Sequence, residues 1–311
     1  GSAGRALPGG RKREVCTMSS FQLSSFADEA DASLKGQIEA MERHGVYLIE
    51  MRGVDGKNVS ELTNEEADDA RKRLEDHGMT LSSMGSPYGK YPIDQPFAAH
   101  MDSFRRGLEI CRHLNAKRIR MFSFFMPKGG NPADWTNKVL DQLDEMLRAA
   151  EDAGIELYHE NEKGIYGDVT ERCLEILTAF KGRLGGIFDP ANFIQCGVRP
   201  EEAMPVLKPY INYMHIKDAM LEDGAVVPAG CGDGHVSELL EALSDKADHM
   251  ILTVEPHLTV FEGLNKLQDE KVEHKYHYES RPAAYAAAVD ALKGILTQLH
   301  YTEGGHGVWT R

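Results

Sequence analysis

From residue 21 to residue 299 the chain alternates β-prone apolar runs with stretches of helical periodicity, at a nearly even pitch. The β-prone runs fall at 21–25, 46–52, 79–84, 117–123, 154–160, 184–189, 210–217 and 249–255. Helical spacing of apolar residues fills 33–44, 63–77, 93–114, 135–153, 169–180, 201–207, 236–246 and 281–299. A strand followed by a helix and another strand is the crossover unit of a parallel sheet. Eight such units in roughly 250 residues match the size of a closed barrel. The expected fold class is therefore α/β, a single (β/α)8 TIM barrel over residues 21–300. An open doubly wound sheet is the competing arrangement. The absence of Gly-x-Gly-x-x-Gly after the first strand weakens it.

Two loops break the even pitch. Residues 222–234 form a Gly-rich loop between the seventh strand and its helix. Residues 261–279 form a long polar insertion after the eighth strand, with His274, Lys275, Tyr276 and His277. Long loops after barrel strands usually act as lids or contact surfaces, and 261–279 is expected to be one of these. Residues 1–20 are expected to be a disordered leader, with Met18 a candidate natural start, and 301–311 a flexible tail. Two helix starts are legible: Thr63-x-x-Glu66 as a capping box, and Asp168-x-x-Glu171 as a second cap.

The net charge of −14 argues against a nucleic-acid backbone binder and against anionic membranes. Five cysteines without a Cys-x-x-Cys pair read as reduced thiols, and hence as a cytoplasmic protein. No apolar run approaches the ~20 residues that span a bilayer. The first 14 residues contain no apolar signal-peptide core.

Chemistry in parallel α/β folds sits at the C-terminal ends of the strands. Strands five to eight end in Glu160, Asp189, His215 and Glu255. One acidic residue there is usually a helix cap or a surface ion pair. Four on successive strands, one of them His, would converge on a single divalent metal. Three carboxylates and an imidazole suit Mn²⁺, Mg²⁺ or Co²⁺ better than a structural Zn²⁺. Strand alternation puts Tyr158 and Glu156 on the Glu160 face and turns His159 toward the helices. Tyr213 and Lys217 share the face of His215, and Thr253 and His257 that of Glu255.

The segments His159-Glu160-Asn161, Phe188-Asp189-Pro190-Ala191-Asn192, Met214-His215-Ile216-Lys217-Asp218 and Val254-Glu255-Pro256-His257 carry a resemblance across residues 21–299. In order and spacing the chain resembles the xylose isomerase-like TIM-barrel superfamily, and within it sugar epimerases and isomerases related to tagatose 3-epimerase. It also resembles the catalytic subunits of C-glycoside deglycosidases. The resemblance implies one divalent ion, Mn²⁺ first and Co²⁺, Mg²⁺ or Zn²⁺ otherwise, held by Glu160, Asp189, His215 and Glu255. It implies that Glu160 and Glu255 are the catalytic acid/base pair of a cis-enediolate mechanism on a sugar, within carbohydrate metabolism. A β-eliminating glycoside lyase or a polyol dehydratase on the same metal is the alternative. Epimerases of the group commonly carry a His three residues after the Asp. Asn192 stands there, and an amide hydrogen-bonds but does not titrate near neutrality. A homo-oligomer is implied, as is a small second subunit if the chain is a deglycosidase.

Asn192, Lys217, His257, Glu162 and Arg52 are the candidate substrate contacts. For Lys217 the competing role is a rim salt bridge with Asp218. Glu50 with Arg52 is either a substrate contact or a mutual ion pair, and Lys163 is a loop candidate beside Glu162. Arg118 and Arg120 share one strand face, and pairing with acidic neighbours is preferred for them. His235 reads as a cap or surface residue. A DNA-repair nuclease would need more ligands and a basic face. A non-catalytic scaffold would not need four aligned ligands.

Overall fold

The computed structural model describes residues 18–260 and 276–311. Most of the leader and of the 261–279 insertion therefore lies outside the described residues. Eight parallel strands form the barrel: β1 (Ser20–Ser25), β2 (Leu48–Met51), β3 (Thr80–Gly85), β4 (Arg118–Met121), β5 (Glu156–Glu160), β6 (Leu184–Phe188), β7 (Ile211–Ile216) and β8 (Met250–Val254). Each pairs with the next in sequence, and β8 returns to β1 in register from Phe21↔Met250 to Ser25↔Val254. That last pairing closes the sheet and removes its edges.

The helices outside it are α1 (Leu34–Arg43), α2 (Asn64–Glu75), α3 (Ala98–His113), α4 (Thr136–Asp152), α5 (Thr170–Ala179), α6 (Pro200–Leu207), α7 (Val236–Leu243) and α8 (Arg281–Gln298). Each presents an apolar stripe to the sheet, as Val139, Leu143, Met146, Leu147 and Ala150 do on α4. The Thr63–Glu66 capping box forms at α2. Gly154, at φ +70°, takes the left-handed turn that releases the chain from α4 into β5.

Three expectations need correction, and one short helix is added. Residues 93–97 are not helical, and α3 begins at Ala98. Pro96 disfavours helical geometry at the residue before it, and Ile93 N–H donates to Phe125 O in the neighbouring loop. The expected Asp168 cap is absent: Val169 precedes α5 without a side-chain cap, and Asp168 pairs with Arg172 instead. A short helix not read from the sequence, Pro190–Gln195, follows β6, with Asp189 as its N-cap. Residues 301–311 are not a loose tail. β9 (Thr302–Glu303) and β10 (Val308–Thr310) form an antiparallel pair, and β10 pairs antiparallel with β1 from Ser20↔Thr310 to Gln22↔Val308. β1 and β2 pair only at Ser24–Leu48 and Ser25–Ile49. The other half of β1 would otherwise show an unpaired edge, and β10 covers it while burying Trp309.

Backbone hydrogen bonds continue past the strand ends and stitch the C-terminal loops together. Phe122 N–H donates to Tyr88 O, Phe124 N–H to Gly89 O, and Tyr166 N–H to Phe124 O. The rim of the site is thus tied to the barrel wall. Among the described residues, no helix is long and apolar enough to cross a membrane.

Candidate metal centre

Four neighbouring strands deliver the four residues. Glu160 is the last residue of β5, Asp189 follows β6, His215 sits near the end of β7, and Glu255 follows β8. One ligand atom from each lies within 4.8 Å of all the others, and all four residues are buried. His215 Nδ1 is the hub. It lies 2.5 Å from Glu160 Oε2, 3.5 Å from Glu255 Oε2 and 3.8 Å from Asp189 Oδ2.

The donor set fits a divalent cation. Glu255 Oε2 is buried and accepts no hydrogen bond, and Asp189 Oδ2, also buried without a hydrogen bond, has the Lys217 ammonium 3.2 Å away. Such oxygens are costly unless a cation meets them. Charge balance agrees. Glu50, Glu160, Asp189 and Glu255 are buried carboxylates in the barrel interior, against the fixed cations Arg120 and Lys217. With a neutral imidazole, two negative charges remain, and one divalent ion cancels them. Without the ion, the proton balance shifts. Burial disfavours a charged imidazole, yet Glu160 and Glu50 raise the His215 pKa well above its usual value. Burial favours a neutral acid at Glu160, but His215 and Arg120 hold it well below the carboxylate range. At Glu255 burial is outweighed by Lys217 and His257, and its pKa is lowered. At Asp189 burial wins and the pKa rises.

The sequence model for xylose isomerase-like TIM barrels matches residues 38–293. The chain belongs to this family. No curated protein matches it. Solved structures share the fold at low identity. A D-tagatose 3-epimerase-like protein is 16% identical with a TM-score of 0.64, over 90% of this chain and 100% of that one. The IOLI protein, solved with a binding zinc atom, is 18% identical with a TM-score of 0.68, over 89% and 99%. The probable 3-DHS dehydratase AsbF of Bacillus anthracis is 14% identical with a TM-score of 0.67, over 88% and 98%.

Around the four residues, this xylose isomerase-like barrel places the other candidates unevenly. Lys217 is buried, with Nζ 3.1 Å from Glu255 Oε1 and 3.2 Å from Asp189 Oδ2. Its alternative partner, Asp218, accepts instead from the backbone N–H groups of Ala219, Gly230, Gly232 and Gly234, and so fastens the Gly-rich loop. His257 is 44% exposed at the rim, between Glu29 at 3.0 Å and Glu255 at 3.2 Å. Glu162 faces Lys90 at 3.5 Å, and burial raises its pKa. Arg52 is less free than expected. It binds Asp28 through Nε and Nη2 at 2.8 and 2.9 Å, stacks on Phe26, and comes only within 4.0 Å of Glu255.

Asn192 is buried beside Asp189 and ties two loops together. Its side-chain amide donates to Asn161 O at 2.9 Å, while Asn161 exchanges two hydrogen bonds with the Asp189 backbone. These amides clip the loops after β5 and β6 and set the Asp189 carboxylate. The alternative Glu50–Arg52 ion pair does not form, because Glu50 turns inward to His215. Arg120 does find an acidic partner, and that partner is Glu160, at 2.9 Å. Glu50 and Arg120 are the contributions to the centre that the pattern of strand ends did not single out. Their place on the inner face of β2 and β4 was the available signal.

Proposed function

We propose that the protein is a divalent-metal-dependent sugar isomerase or epimerase. The observation that carries this reading is the meeting of Glu160, Asp189, His215 and Glu255 within 4.8 Å, with the buried Glu255 Oε2 left without a hydrogen-bond donor. The bound ion would supply Lewis acidity to a substrate carbonyl and its neighbouring hydroxyl. Glu160 and Glu255 come from β5 and β8 and flank His215. One removes the proton beside the carbonyl, and the other returns a proton to the cis-enediolate. Lys217 Nζ, beside Glu255, is placed to offset negative charge developing on substrate oxygen. The buried setting of these groups strengthens each such interaction.

A second reading, β-elimination by a glycoside lyase or polyol dehydratase, rests on Asn192 and Lys217. The position where related epimerases place a titratable His holds an amide already bound to Asn161. A buried ammonium beside Glu255 could instead support departure of a β-substituent. Both readings begin with proton removal next to a carbonyl. The test is proton NMR in D₂O with Mn²⁺-loaded protein, a panel of ketoses, ketose phosphates and 3-keto-glycosides, and a chelated control. Metal-dependent loss of the signal beside the carbonyl is expected. Products then separate epimer, isomer and eliminated aglycone. Exchange that persists unchanged in verified metal-free protein would overturn both readings.

A further inference from the structure

We infer that Glu50 is a positioning residue of the metal centre, holding His215 so that Nδ1 is the atom offered to the ion. The inference rests on the metal reading above. An imidazole can present either nitrogen, and its other hydrogen bond decides which. Both Glu50 oxygens approach His215 Nε2, at 2.9 and 3.1 Å, on the side of the ring away from the three carboxylates. A carboxylate can only accept there, so Nε2 carries a proton. Nδ1 also faces a carboxylate, Glu160 Oε2 at 2.5 Å, and a bound divalent ion would take the place of the proton on Nδ1 while Glu50 keeps the one on Nε2. The ring is also braced by the edge of Phe26, whose centroid lies 5.1 Å away.

Glu50 is itself fixed. Tyr213 O–H donates to its Oε1 at 2.6 Å. The same hydroxyl lies 2.9 Å from Thr253 Oγ1 and 3.1 Å from Ser82 Oγ, and Ser82 in turn meets Ser24 Oγ at 2.7 Å. This polar layer draws on β1, β3, β7 and β8 and lies beneath the centre. The Glu50 charge also makes the ring a stronger donor, as carboxylates behind metal-bound imidazoles do.

The probe is Zn²⁺, which is diamagnetic. Calorimetric titration of chelator-stripped protein is compared for wild type and Glu50→Gln, with circular dichroism to check folding. A 10–100-fold weaker affinity is expected in the folded variant, the range seen when such supporting groups are lost. Long-range ¹H–¹⁵N spectra of the Zn²⁺-loaded wild type should show His215 protonated at Nε2. If Glu50→Gln does not fold, Tyr213→Phe keeps the carboxylate but frees it, and a weaker affinity is again expected. Wild-type affinity in the folded variant, or a proton on Nδ1, would overturn the inference while leaving the metal centre standing. Failure of wild type to bind Zn²⁺ or Mn²⁺ at all would overturn both.

Discussion

At the scale of single residues, the centre is a balance of buried charges, and its parts are not interchangeable. Glu160 has Oε1 held by Arg120 and Oε2 turned to His215. Arg120 is itself stacked between the Phe26 and Phe122 rings, at 5.3 and 4.8 Å. Removing one member of a buried ion pair leaves the other uncompensated. Arg120→Met should therefore destabilise the protein by roughly 3–5 kcal/mol in urea unfolding. A change within experimental error would show that the pair is not needed. Glu255→Gln removes one proton-handling group and should lower kcat about 10²- to 10⁴-fold once a substrate is identified, with the fold intact. A variant that turns over normally would remove Glu255 from the chemistry. The four strand-end residues were legible because strand periodicity and barrel topology jointly fix where a strand-end side chain points. The bond that Asn192 makes was not legible in its spacing. The partner, the Asn161 backbone, belongs to a different loop, and local spacing carries no information about such a pairing.

At the scale of elements, the loops above β3, β4 and β5 behave as an extension of the sheet. His100, near the start of α3, braces this region. Its ring stacks on Tyr91 at 4.7 Å, and its Nε2 accepts the Gly89 N–H at 3.0 Å. Burial pushes its pKa down from 6.5 to about 4. The folded chain therefore keeps His100 neutral where the unfolded chain already protonates. This contribution is complete above pH 6.5, declines as the pH falls toward about 4, and is constant below that. The loss is on the order of 2–3 kcal/mol. His100→Gln should flatten that part of the pH–stability curve in urea unfolding between pH 7 and 4.5. Identical slopes for variant and wild type would contradict the assignment. The start of α2 and the end of α4 were readable because the Thr63–Glu66 box and Gly154 act locally. The start of α3 was not, because a cross-loop bond from Ile93 to Phe125 O competes with the helix.

At the scale of the whole molecule, the barrel was legible from alternation alone, since eight βα units leave few arrangements other than closure. The C-terminal segment was not. Residues 301–311 look polar and short, and their partner β1 lies at the other end of the chain. Trp309 is 4% exposed and seals that edge. Trp309→Ala should cost roughly 3–5 kcal/mol in urea unfolding. A loss near zero would mean that the β10 pairing adds little to the closed barrel. The same closure brings β5 through β8 side by side and makes one centre from residues nearly a hundred positions apart. The measurement that bears most directly on this centre is anomalous diffraction from crystals soaked in Mn²⁺. The account predicts one strong peak about 2 Å from His215 Nδ1 and from oxygens of Glu160, Asp189 and Glu255. No peak there, or a peak only elsewhere on the molecule, would contradict it.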